Sequence, residues 1–132
     1  MSAAFQINNE TLGFTVVIED DDRVAYAYLL QGQMIVSDVW LYNCGVPPSK
    51  PEWQDPSKMP FANPITHSTN LRVLPIVEPS DVRVEWNAHN GMLTNVDLFI
   101  SGTLYARLVP GEKPGWCRNA TKSGPLAKVL EA

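Results

Sequence analysis

Residues 82–100 read as a hairpin, and a hairpin of this kind commits its neighbours to sheet. Val82-Arg83-Val84-Glu85-Trp86-Asn87-Ala88 alternates apolar with polar, His89-Asn90-Gly91 follows, and Met92 to Ile100 resumes the alternation. Side chains of period two belong to a strand, and Asn-Gly between two such runs marks a tight reversal. The faces choose the register. A two-residue Asn90-Gly91 loop sets Trp86 across from Asn95 and Val84 across from Asp97, which mixes apolar and polar faces. A three-residue loop, His89-Asn90-Gly91, pairs Val84 with Val96, Val82 with Leu98 and Arg83 with Asp97. A slip of one residue turns every side chain over, so the three-residue loop with a bulge is the expectation. Ser101-Gly102 then predicts a turn into residues 103–109, with Leu104, Ala106 and Leu108 inward.

Two further hairpins are legible upstream. Phe14, Val16 and Ile18 alternate along one run, and Val24, Tyr26, Tyr28 and Leu30 along the next. Setting Glu19 opposite Arg23 across Asp20-Asp21-Asp22 pairs Ile18 with Val24, Val16 with Tyr26 and Phe14 with Tyr28. Short carboxylates suit such a turn because they bond nearby backbone amides. Gly32-Gln33 reads as a two-residue loop with glycine first. It places Leu30 opposite Ile35, Tyr26 opposite Val39 and Val24 opposite Leu41. Residues 69–77 read as another strand, at an edge or a bulge because Pro75 lacks a ladder donor. The tail at 126–130 admits a short helix or a strand.

Eleven prolines and eight glycines in 132 residues fit a chain rich in turns. The expectation is an all-β domain: one antiparallel β-sandwich or flattened barrel of seven to nine strands. A Pro-rich loop spans 44–66, and 1–132 form a single unit. That loop holds six of the prolines with Trp53, Met59 and Phe61, so it reads as a packed cover and not a linker. A formal charge of −4 argues against nucleic acid as a partner. No apolar run approaches the ~18 residues of a membrane span, and no secretory leader is visible, so a cytoplasmic location with free thiols is expected. Residues 1–39 carry one cation against six anions, and residues 107–132 carry five cations against two. That asymmetry predicts contact between the C-terminal segment and the first hairpin, or solvated charge.

The central trio of strands is apolar on both sides. Opposite the face expected in the core stand Val17, Ala25, Ala27, Leu29, Val36, Trp40 and Tyr42, with Asp38 among them. A sheet with one wet side carries polar residues there. The expected register sets Ala25 across from Trp40 and Ala27 across from Asp38, giving a groove floored by alanines. Three coverings compete: the Pro-rich segment, a second protein such as another copy of the chain, or a ligand with that segment as lid. The candidate binding residues are therefore Ala25, Ala27, Leu29, Val36, Asp38, Trp40, Tyr42 and Trp53.

Catalytic signatures are absent from the sequence. His67 and His89 read as loop histidines, and with Cys44 and Cys117 they lack the short spacing of zinc ligands. Asp20-Asp21-Asp22 lacks the spaced oxygens of a calcium loop. Arg118 beside Cys117 favours thiolate, but no base is near it in sequence. No phosphate loop or serine elbow occurs, and no cofactor is implied. Asn9-Glu10-Thr11 and Asn119-Ala120-Thr121 match the glycosylation pattern without weight of their own. Arg83, Glu85, Asn87, Asn95, Asp97, Tyr105 and Arg107 form a polar mosaic on the outward face of the last hairpins. The function expected is non-catalytic binding through the aromatic face and the Pro-rich loop, in a homodimer or with a protein partner. The alternative is a small-molecule or carbohydrate binder, or an enzyme, with a pocket beneath the loop.

Overall fold

The computed structural model describes residues 3–21, 23–44, 47–58, 61–68 and 79–130. The strand expected at 69–77, and Met59, lie outside them. Among the described residues nine strands form two sheets. The first is β1 (Ala3–Asn9), β2 (Phe14–Asp20), β3 (Val24–Gln31) and β4 (Met34–Asn43), in that order. The second is β5 (Val82–His89), β6 (Met92–Ile100), β7 (Thr103–Leu108), β8 (Trp116–Cys117) and β9 (Lys128–Val129). Pairing is antiparallel except between β8 and β9. The sheets make a β-sandwich around one core, to which Val16, Ile18, Leu29 and Val39 of the first contribute with Val96, Leu98, Ala106 and Leu108 of the second. Each of the valine, leucine and isoleucine side chains among them stabilises the fold by roughly 1.5–3 kcal/mol relative to exposure.

The last hairpin keeps its expected faces by another device. Its loop has two residues, Asn90 and Gly91, both at positive φ as a type I′ turn requires. The extra residue lies within the strand: Asn87 faces Asn95 and Ala88 faces Leu93, leaving Thr94 unopposed. That bulge aligns Val82, Val84 and Trp86 with Ile100, Leu98 and Val96. A bulge in β7 likewise leaves Tyr105 unopposed and buried, so Leu104 stands across from Phe99 and is not inward.

The first hairpin differs more. Asp21 Oδ1 accepts from the amides of Arg23 and Val24, as a turn carboxylate should, but Asp20 belongs to β2 and faces Ala25. Val16 therefore stands opposite Leu29, Ile18 opposite Ala27 and Glu19 opposite Tyr26. Val24 to Leu30 is apolar at every position, so hydropathy does not choose its inner side. Packing does. The alanines and Leu29 face the second sheet, and the bulky Tyr26 and Tyr28 face away.

Along β4 the Gly32-Gln33 loop and the Leu30–Ile35 pair stand as expected, followed by two bulges. Val36 is the first extra residue and Leu41 the second, so Ala27 faces Val39, Tyr26 faces Trp40 and Ala25 faces Tyr42. The free side of β4 is strapped by residues 111–126. Gly111 N donates to Val36 O at 2.8 Å, Gly115 N to Asp38 O at 2.6 Å, and Trp40 N to Leu126 O at 2.9 Å. The C-terminal segment is thus tied to β4, where the expectation places it against the first hairpin. It ends in β9 instead of a helical turn, because Gly115 O and Cys117 O accept from the amides of Lys128 and Leu130.

Candidate functional site

The outer face of the first sheet reads as three rows across β1 to β4. Ala4, Glu19, Tyr26 and Trp40 form one; Gln6, Val17, Tyr28 and Asp38 form the next; Asn8, Thr15, Leu30 and Ile35 form the third. The Pro-rich excursion closes on itself where Ile65 N donates to Pro48 O. It covers the Tyr26–Trp40 end of the face. The Tyr26 hydroxyl donates to Phe61 O at 2.6 Å, and the Trp40 indole N–H donates to Asn43 Oδ1 at 2.9 Å. Asn43 and the backbone of Asn63 exchange two further hydrogen bonds, at 2.7 and 2.9 Å. Trp53 and Phe61 pack against the core. Trp40, 1% exposed, is sheltered by its own chain, and Leu29, 0% exposed, by the second sheet.

The eight candidate residues are consequently divided. Ala25, Ala27, Leu29 and Tyr42 lie between the sheets, where the three-residue correction of the β2–β3 register and the bulges of β4 carry them. No alanine-floored groove forms. Trp40 and Trp53 lie with the excursion. Val36 occupies the first bulge, and Asp38 stays on the outer face, half-buried.

What remains open is a ledge at the foot of the excursion: Val17, Tyr28, Leu30 and Asp38 half-buried, and Ile35 45% exposed. Tyr28 lies nearly parallel to Tyr26, centroids 6.0 Å apart, and directly across the ladder from Asp38. Burial pushes the Tyr28 phenol up to about 12, reinforced by the negative fields of Glu19, Asp38 and Asp21. Burial also raises the Asp38 carboxyl, against the pull of Lys113. The ledge is therefore apolar, aromatic and electronegative. Tyr28, Leu30 and Ile35 share a face in the expected register too, but there that face is assigned to the core; the observed register turns it outward and brings Val17 and Asp38 onto it.

A second cluster lies beneath the excursion. His67 meets Trp53 edge-on at 5.1 Å, and Thr66 Oγ1 lies 2.7 Å from His67 Nδ1. Gly124 packs closely there, since a Cβ would come 3.0 Å from His67 Cδ2. Among the described residues the buried Nδ2 of Asn63 and Nε1 of Trp53 find no hydrogen-bond partner.

Other polar and thiol groups make local contacts. Cys44, exposed, donates to Asp20 Oδ1 at 3.3 Å, and Cys117 is buried, its thiol pushed up to about 12 by burial despite Arg118. Asn119 is buried, donating to Leu41 O and to Tyr105 Oη. Tyr105 thus leaves the polar mosaic, in which Arg107 and Asp97 pair at 2.7 Å. Among the described residues no group of three metal-ligating side chains gathers, and no helix is long and apolar enough to cross a membrane. Set against family models, curated proteins and solved structures, the chain matches none.

Proposed function

We propose that this is a non-catalytic binding protein whose recognition surface is the ledge of Val17, Tyr28, Leu30, Ile35 and Asp38. Its partner is a protein segment that carries a cation among apolar residues. One observation carries the reading: Tyr28 and Asp38 stand side by side, flanked by Val17, Leu30 and Ile35, on the part of the face that the excursion leaves open. A lysine or arginine placed there meets a carboxylate and an aromatic face together, and its neighbours bury Leu30 and Ile35. The excursion walls the ledge at the Tyr26 end.

The test is a titration of ¹⁵N-labelled protein with two peptide pools of equal apolar content, one bearing Lys and Arg and the other Asp and Glu. The basic pool is expected to shift Val17, Tyr28, Leu30, Ile35 and Asp38, and Asp38→Asn is expected to weaken binding by about five-fold, the scale of a rim charge. Equal response to both pools, or shifts elsewhere, would overturn the proposal. A second reading is favoured by the orphaned donors of Asn63 and Trp53: a small ligand with acceptor oxygens beneath the excursion. Shifts confined to Trp53, Asn63 and His67 on adding small carboxylic acids would select it.

A further inference from the structure

A sheet edge presents unpaired N–H and C=O groups, and proteins blunt such edges by charge, proline, bulges, shortness or a covering segment. Among the described residues the two sheets end on β1, β4, β5 and β9. β4 carries two bulges and its strap. β5 carries Arg83 and Glu85, paired at 3.4 Å, and β9 is two residues long. Among the described residues β1 has none of these devices. Its seven residues, Ala-Ala-Phe-Gln-Ile-Asn-Asn, hold no charge and no proline, and they pair with β2 in one unbroken register. Alternate residues of β1 turn their backbone groups away from β2.

We infer that this edge is a self-association surface: β1 pairs antiparallel with β1 of a second copy across a two-fold axis at Gln6. The occupant follows from the strand's own pattern. Pairing centred on Gln6 engages all seven residues and sets Phe5 against the second copy's Ile7 on the core side. It sets Ala4 against Asn8 on the outer side, and Gln6 against itself. No face is mixed and no like charges meet. Phe5 and Ile7 are only half-buried in the single chain although they pack against the core, and the second copy completes their burial. The product is one eight-stranded sheet with both outer faces on the same side. Strand pairing alone buries little area, so the dimer is weak and reversible, and a charge of −4 on each copy makes salt favour it. The inference stands apart from the ledge and its partner.

The register makes a specific test available. Gln6 is exposed, so Gln6→Lys and Gln6→Glu leave the fold intact, yet each sets like charges face to face at the axis. Sedimentation is followed from about 10 µM to about 1 mM chain, the range in which small interfaces associate. The wild type is expected to dimerise, more so in added salt. Each variant is expected to dissociate severalfold more readily, and an equimolar mixture of the two is expected to recover a dimer tighter than either alone. A wild type that stays monomeric throughout, or a dimer indifferent to both substitutions, would overturn the inference.

Discussion

The thiol of Cys117 donates to the carbonyl oxygen of Leu41 at 3.3 Å, at the position where β4 carries its second extra residue. Asn119 Nδ2 donates to the same oxygen at 3.1 Å. The bulge turns a carbonyl toward the C-terminal segment, and that segment supplies two donors to it. A defect in one ladder thereby becomes the joint between the two sheets.

This joint predicts unequal thiols. Cys117 is fully buried with its thiol held near 12, whereas Cys44 is exposed. Thiolate is the reactive form. A disulfide reagent at pH 8 is expected to modify Cys44 promptly and Cys117 only after denaturation. Two fast thiols in the native protein would contradict the arrangement.

Asp20 is buried at the end of β2 and accepts from the Tyr42 hydroxyl at 2.7 Å and from Cys44. Tyr42→Phe removes one donor from a buried carboxylate while keeping the ring. A cost of about 1–3 kcal/mol is expected, read from the midpoint of denaturant unfolding. A shift below about 0.3 kcal/mol, small for a lost buried bond, would mean that Asp20 is solvated there.

Gly115 lies where the strap crosses β7. A Cβ at this position would collide with the Arg107 carbonyl oxygen and come 3.2 Å from Leu108 Cδ2. Because the obstacle is backbone, Gly115→Ala is expected to cost about 1–3 kcal/mol, the scale of overpacking. The Gly115–Asp38 and Lys128–Gly115 bonds should exchange their amide protons faster in the variant. Unchanged melting would show that the strap yields without loss.

Burial holds the His67 imidazole below its ordinary 6.5, and Lys122 adds to the effect. The folded chain resists a proton that the unfolded chain takes up near 6.5, so this contribution is intact above that pH and is lost as the pH falls through it. His67→Gln is expected to flatten the fall in stability between about pH 7 and pH 5, where histidine titrates. Parallel pH profiles for the two proteins would refute the assignment.

Period-two alternation and turn residues made the all-β class, the Gly32-Gln33 and Ser101-Gly102 turns and the face sets of β5 and β6 readable before any coordinates. The same signal was present in Phe5-Gln6-Ile7-Asn8 but short enough to overlook. Register was readable only where one face is polar. Along β5 and β6, Arg83, Glu85 and Asp97 mark the outside, so the correct faces emerged even though the extra residue sits at Thr94 and not in the turn. Along β3 both faces are apolar, and pattern alone had no means to choose.

Local chemistry in the chain therefore determined that strands form, roughly where they reverse, and that the first sheet carries apolar residues on both sides. Only the folded molecule decided which side met the second sheet, since that depends on alanines yielding room to side chains distant in sequence. It likewise decided that Tyr28 and Asp38 share an open ledge, because the bulge at Val36 turns Ser37 to Trp40 to the opposite face before the second bulge at Leu41 restores the alternation.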